Sequence, residues 1–420
     1  MLNPKTGERE LCYVTVVDAV SPIEGYDRVE LAHVGGWSIV VGKGEFHAGD
    51  PAIYFEIDSK LPEVAPFINM EFLAKKKYKI KTQKMCKSIS QGLLMSAANF
   101  GWHIVEGGNY AIVDNNGNYH RVDEESRFLT KQLGVTYNVA EDNARKASKP
   151  NPNAKYQSMI NRHPWMYKNH FTRWMLKHNM GKKILFVFFG KAADNQRGFP
   201  TKFPFVHRTD EERIENMPWV LNDKEPWIVT TKIDGTSSTY IMERIKKNKF
   251  EYYVCSRNVR MLKPTQESFH NEKGDVNVYW QMSDKYHIEE ALRDLLIKHP
   301  DWTYVCLQGE TAGQNLQGNP HKFPDVRFFG FNLIDSKTGR WNSVDAAELM
   351  KNDYNIPWVP IVNKGTYILP DTMEEMKAQA EGPCEAPGAS GLREGYVYRS
   401  LDGQKSFKNV STKYLLKKGE

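Results

Sequence analysis

The pattern of apolar and polar positions divides the chain into three stretches. In the first, short apolar runs alternate with turn residues. Tyr13 to Val20 reads as a strand broken by Pro22 and Gly25, and Val29 to Val34, Trp37 to Val41 and Ala52 to Ile57 follow, separated by Gly36, Gly44 and Gly49-Asp50. Short strands at this spacing predict a small β-barrel. From Asn138 to Gln157 the chain turns polar, and Ala147-Ser148-Lys149-Pro150-Asn151-Pro152-Asn153 reads as a linker. Ser158 to His178 then mixes Trp165, Tyr167, Phe171, Trp174 and Leu176 with Arg162, Lys168, Arg173 and Lys177, which predicts one or two amphipathic helices with the aromatics in a core. Ile184 to Phe189 reads as a buried strand, and Gly198-Phe199-Pro200 opens an irregular stretch. The third stretch is rich in strands.

Within it, Val229-Thr230-Thr231-Lys232-Ile233-Asp234-Gly235-Thr236-Ser237 delivers a single lysine from a β-branched run to a turn made by Asp234 and Gly235, with a second strand starting at Ser237 to Tyr240. A lysine amine at its ordinary pKa of about 10.4 is protonated and a poor nucleophile at neutral pH, so a reactive one needs burial or cationic neighbours. A strand end beside a turn offers that setting. A bare K-x-D-G also describes a surface lysine beside a hairpin, so the downstream chain has to decide.

Downstream, Tyr252 to Asn258 is a strand ending on Arg257, a planar fork suited to phosphate. Tyr304 to Glu310 ends on a glycine and a carboxylate, Val326 to Asp335 is an aromatic strand able to offer a ring to a base, and Glu394-Gly395-Tyr396-Val397-Tyr398 sets a second carboxylate at a strand start. Ser406 to Tyr414 closes the chain with lysines on a strand-like segment. In the first stretch, Lys75, Lys76, Lys77, Lys79 and Lys81 surround Tyr78. Cations with an interleaved aromatic suit a phosphate backbone lying across a β surface, and equally a solvated face of charge.

Composition narrows the class. At 420 residues the chain is long enough for two or three domains, and 40% hydrophobic with 12% aromatic residues describes a globular protein. A net charge of +6 is compatible with a polyanionic partner. Cys12, Cys86, Cys255, Cys306 and Cys384 are scattered, odd in number and without a C-x-x-C pair, which predicts free thiols, a reducing intracellular compartment and no cysteine-built zinc site. No apolar run approaches the roughly 20 residues a membrane helix needs.

The order K-x-D-G, S-R, G-E, F-x-F, E-G-x-V, then a lysine strand, resembles the covalent nucleotidyltransferases, the superfamily of polynucleotide ligases and RNA capping enzymes. Two longer stretches narrow the resemblance to ATP-dependent RNA ligases. Gly309-Glu310-Thr311-Ala312-Gly313-Gln314-Asn315-Leu316-Gln317-Gly318-Asn319 is similar to that family's G-E-x-x-G-x-x-I-Q-x-N, and His207-Arg208-Thr209-Asp210-Glu211-Glu212-Arg213-Ile214-Glu215-Asn216 resembles its K-T-D-E-E-R-I-Q-N. Pro22 to Glu30, Gly36-Trp37, Gly49-Asp50, Ile57 to Pro62 and Ser90-Gln91-Gly92-Leu93 resemble the branch with an OB-like domain ahead of the transferase.

The resemblance implies an α+β protein: an OB-like N-terminal domain over 1–137, a linker and basic, aromatic helical segment over 138–195, and an antiparallel-rich nucleotidyltransferase domain over 196–420. It implies Lys232 as the residue adenylated by ATP, with AMP passed to an RNA 5′-phosphate and released when a 3′-hydroxyl attacks. Glu394 and Glu310 are implied as carboxylates near Mg2+ or Mn2+ and the nucleotide sugar. Lys408 is implied as a phosphate contact whose charge favours the neutral Lys232 amine, and Arg257 as a contact to nucleotide or RNA phosphate. Phe331, with Phe329 as the alternative ring, would stack on adenine, while Ile233, Asp234 and Gly235 shape the nucleophile's turn. Position 406 is serine where these ligases commonly have a lysine, which leaves Lys405 and Lys413 as candidates for a second cation. The expected protein is a monomer acting on RNA ends, possible substrates being a nicked duplex, an RNA/DNA hybrid or a broken loop.

Two other classes remain in view. DNA ligases and capping guanylyltransferases generally carry an OB domain after the lysine strand, whereas only a few residues follow Leu416 here. A non-catalytic RNA-binding protein on a transferase scaffold has no need of Lys232, Glu310, Glu394 and Lys408 together.

Overall fold

A computed structural model describes residues 1–105, 111–137, 166, 169–189, 206, 209–257, 260–261 and 277–418. The linker, Arg162, Trp165, Tyr167, Lys168, Gly198 to Pro200, His207, Arg208 and Asn258 lie outside them. Two compact units emerge, one of residues 1–143, 210–232 and 360–420, the other of 144–209 and 233–359.

The first unit opens with the expected run of short strands. Cys12–Val16, Pro51–Phe55 and Leu93–Met95 form one antiparallel sheet, and Ala19–Ile23, Tyr26–Val34 and Trp37–Gly42 a second. The first break falls at Val17 and Asp18. Pro22 stays inside a strand, where the register slips between Pro22 and Ile23. Alternate residues turn inward, so Tyr13, Trp37, Ile39 and Tyr54 pack one core. Val410 and Leu415, from the far end of the chain, belong to that same core.

The ligase-like part of this unit is a five-stranded sheet in the order Glu212–Arg213, Ser406–Val410, Gly395–Ser400, Trp227–Lys232, Ile361–Tyr367. Only the first pair is parallel. Trp227 to Thr231 are buried because this strand has neighbours on both sides. The closing lysine segment is a strand only to Val410, and Lys413 sits on the helix Thr412–Lys418.

The segment that precedes Lys232 docks on the barrel-like part of the same unit. The Gly36 amide donates to the Glu215 carbonyl at 2.7 Å, and a Cβ on Gly36 would sit 2.6 Å from the Glu215 Cα, so only glycine allows this approach. Trp37 Nε1 donates to Asn216 Oδ1 at 2.7 Å, and Asn216 Nδ2 donates to the fully buried Glu56 at 2.7 Å. Arg213 donates to Asp58 at 3.2 Å, both side chains being almost fully buried. Thus Gly36-Trp37 and Asp58, from the first motif set, meet the Glu-Arg-Ile-Glu-Asn segment directly.

The second unit is built on a six-stranded antiparallel sheet ordered Arg260–Met261, Lys249–Ser256, Thr236–Lys246, Tyr304–Ala312, Arg327–Asp335, Gly339–Arg340. Trp280, Leu292, Leu295 and Leu296 bury one side of the helices Val278–Lys285 and Ile288–Lys298. The unit also holds the helices His170–Lys177 and Asn179–Phe189. Ile184 to Phe189 is therefore helical, not a strand; six apolar residues cannot by themselves distinguish the two, and the preceding Gly181 lets this helix approach Met175 closely. Nor are Phe171 and Trp174 core residues: they are 67% and 59% exposed. Among the described residues no helix is long and apolar enough to cross a membrane.

Removing one partner of a buried ion pair leaves an uncompensated charge. Arg213→Ala is expected to lower unfolding free energy by about 3–5 kcal/mol in urea titrations, whereas Arg213→Met paired with Asp58→Leu recovers much of the loss.

Candidate active site

Lys232 ends the strand Trp227–Lys232, opposite Gly395. Its side chain is one-quarter exposed, and its Nζ lies 2.9 Å from the carboxylate of Glu394. Glycine at 395 is required: a Cβ there would sit 2.0 Å from the Asn409 carbonyl oxygen. The chain passes close to the neighbouring strand at this point, and the adjacent carboxylate meets the lysine.

Lys408 occupies the same face. Thr230 pairs with Val397 and Val397 with Lys408, two rows along from the Lys232, Gly395 and Val410 row, and residues two apart on a strand share a face. Burial pushes the Lys408 amine down to about 8; Asp210 opposes this, and Arg9, Arg213 and Lys232 push in the same direction as burial. Asp210 accepts a hydrogen bond from Lys408 at 2.8 Å and lies 3.9 Å from the guanidinium of Arg9, which in turn donates to Glu56 at 3.1 Å. Burial acts to raise the Glu56 pKa, but the Met1 amino group and Arg9 hold it down at about 2. An alternation of charge thus runs from the barrel-like part to Lys408: Glu56, Arg9, Asp210, Lys408. Neither candidate second cation joins it. Lys405 pairs with Asp223 and Glu225, and Lys413 is exposed on its helix.

In the second unit, Ile233 is buried and the Asp234 amide donates to His321 Nε2 at 2.8 Å. That bond requires the neutral tautomer with its proton on Nδ1. A Cβ on Gly235 would lie 2.2 Å from the Thr311 carbonyl oxygen, so the turn packs tightly on the next strand. Ser237, Glu310 and Phe329 form one cross-strand row. Phe329 is buried against Phe323, with ring centroids 5.4 Å apart. Phe331 lies where the register slips between Gln308 and Gly309 and is half-buried. Arg257 directly follows the strand Lys249–Ser256 and is exposed.

The lysine run does not lie across a β surface. Lys75 ends the helix Glu71–Lys75 and pairs with Glu71 at 3.6 Å, and Lys77 and Tyr78 form a turn with φ of 54° and 58°. Tyr78 and Ile80 are in the core, because the turn folds them inward. Lys76 and Lys77 stay exposed, and Lys79 and Lys81 are half-buried.

Asp210 and Arg9 beside Lys408 in the first unit, and His321 beside Asp234 in the second, are contacts that sequence reasoning passed over. Asp210 stands inside a quoted motif, which was the available signal; Arg9 and His321 carry none. Among the described residues no three His, Cys, Asp or Glu side chains gather as a metal cage.

Residues 225–415 match the family model for RNA ligase, and residues 11–97 match one for an OB-fold domain. No curated protein matches the chain. Among solved structures, the Naegleria gruberi RNA ligase with PPi is 25% identical at a TM-score of 0.67, over 98% of this chain and 99% of that one. Substituted forms of the same enzyme match at 25% identity: one with AMP and Mn at a TM-score of 0.67 over 97% and 99% of the two chains, and one with ATP and Mn at 0.68 over 98% and 100%. The chain thus has a segment similar to RNA ligases, a segment similar to an OB-fold domain ahead of it, and a likeness to a solved RNA ligase along nearly its whole length.

Proposed function

We propose that the protein is an ATP-dependent RNA ligase that joins 3′-hydroxyl and 5′-phosphate RNA ends, in nick sealing or RNA repair. The observation that carries this reading is a half-buried lysine at a strand end, held 2.9 Å from a carboxylate, with a second lysine on the same face of the sheet. Complexes of the Naegleria ligase with ATP and Mn, with AMP and Mn and with PPi support ATP as the substrate.

In the first step the neutral Lys232 amine attacks the α-phosphorus of ATP. The N–P bond forms, the bond from the α-phosphorus to the bridging oxygen breaks, pyrophosphate leaves, and the amine sheds its proton. Glu394 fixes the position of Nζ, and ordered positioning is most of what phosphoryl transfer asks of a protein. Lys408 supplies positive charge to the phosphates. In the second step an RNA 5′-phosphate oxygen takes the adenylyl group and the N–P bond breaks; in the third a 3′-hydroxyl attacks the RNA phosphate and AMP departs. Phe331, half-exposed where Phe329 is covered, is the ring we assign to adenine. Arg257 and the exposed lysines Lys75, Lys76 and Lys77 are assigned to RNA phosphates, with Lys79 and Lys81 beside them.

The carboxylates Glu394 and Glu310 are hard oxygen donors of the kind that suits Mg2+ or Mn2+, and they are the residues we assign to such an ion. Such an ion supplies charge neutralisation on the phosphates. The five thiols form no disulfide, in keeping with a reducing compartment.

Intact-mass measurement after incubation with ATP and Mg2+ or Mn2+ should show an AMP adduct that Lys232→Ala abolishes and that 5′-phosphorylated RNA discharges with joined product. The same variant should still seal pre-adenylated RNA. A GMP adduct formed from GTP in its place would point to capping, and the absence of any adduct would remove the ligase reading. A further expectation concerns pH: Lys408 is charged below about 8 and neutral above it. Calorimetry with an ATP analogue carrying a methylene bridge between the α- and β-phosphates should show affinity falling as pH rises through about 8. In Lys408→Gln the affinity should be about tenfold weaker and this dependence lost.

A further inference from the structure

The pair of helices His170–Lys177 and Asn179–Phe189 has no role in the adenylate chemistry above. It holds together around a small core of Met166, Leu176 and Leu185, with Asn169 capping the first helix through bonds from the Phe171 and Thr172 amides. What this core leaves outside is unusual. At 100° per residue, Arg173, Lys177, Trp174, His178 and Phe171 fall in sequence along one arc opposite the buried Thr172 and Leu176, and all five are exposed. Trp174 has Phe171 on one side at 6.3 Å and His178 on the other at 5.1 Å. Rings and cations therefore share one surface.

Charge says what that surface suits. From Asn143 to Ala193 the sequence has eleven Lys or Arg and no Asp or Glu, although the whole chain has 51 acidic residues in 420 and a stretch of this length would ordinarily hold about six. A solvated face normally interleaves both signs. A long acid-free segment with exposed aromatics suits a polyanion that also offers flat rings, which is a single-stranded nucleic acid. A membrane-surface helix segregates its cations from its apolar side; here Arg173 and Lys177 lie beside the rings.

Resting on the RNA ligase reading, we infer that the His170–Lys177 helix is a docking surface for single-stranded RNA flanking the ends to be joined, with Phe171 and Trp174 stacking on bases and Arg173 and Lys177 on the backbone phosphates.

The test uses the full chain and a 5′-phosphorylated single-stranded RNA without ATP, with binding followed by fluorescence anisotropy at several KCl concentrations. Because all four side chains are exposed, their substitution leaves the small core intact. F171A/W174A is expected to weaken binding about tenfold or more. R173Q/K177Q should weaken it and reduce the slope of log affinity against log salt by about 1.4, at roughly 0.7 per phosphate contact on a single strand. AMP-adduct formation from ATP alone should stay within twofold in both variants. RNA affinity within twofold of the unsubstituted chain in both variants overturns the proposal. So does loss of co-sedimentation with vesicles of anionic lipid while RNA affinity holds. An unsubstituted chain that forms no adduct from ATP would instead defeat the ligase reading, and the anisotropy result would still decide the helix.

Discussion

Keeping a lysine charged where water is scarce is the constraint on which the first unit depends. The Lys408 side chain is about nine-tenths covered, and the alternation of Glu56, Arg9, Asp210 and Lys408 keeps each buried charge next to one of opposite sign. Ion pairs out of water recover their desolvation cost only when geometry is good and the remaining polar atoms are satisfied. Asn216 and Tyr13 supply two of those further bonds to Glu56. Barrel-like part and ligase sheet are consequently one object in this unit, sharing both a charge network and an apolar core to which Val410 and Leu415 contribute.

The two sides of the ligase sheet divide the work. Val229, Tyr396 and Tyr398 turn one way, into a core with Trp227 and Phe407. Lys232 and Lys408 turn the other. Strand alternation sorts the apolar core from the lysines without any special device, and Gly395 permits the close backbone approach to Asn409 beside Lys232.

How much of this was legible follows from the range of each signal. Lys232, Asp234 and Gly235 announce themselves within nine residues as strand, turn and strand. Glu394 and Lys408 are far away in the chain, and it was the order of short motifs, not any local pattern, that tied them to Lys232. Asp210 and Arg9 could not be assigned because a charged residue's partner is fixed only by tertiary packing. Local readings failed where a short apolar or aromatic run admits two meanings: Ile184 to Phe189 proved helical, Phe171 and Trp174 proved exposed, and Tyr78 turned inward out of its lysine run.

The strand order of the ligase sheet also bears on how the protein is made. Trp227–Lys232 has as neighbours Gly395–Ser400 and Ile361–Tyr367, and Glu212–Arg213 pairs with Ser406–Val410. Synthesis runs from the N-terminus, so the strand that carries Lys232 leaves the ribosome more than a hundred residues before either neighbour exists, and non-local pairing of this kind is slow. In that interval residues 233–359 can form their own sheet. The lysine becomes part of a finished sheet only when the last strand arrives, so nascent and prematurely ended chains carry the residue without the neighbours, Glu394 and Lys408, that surround it in the complete fold.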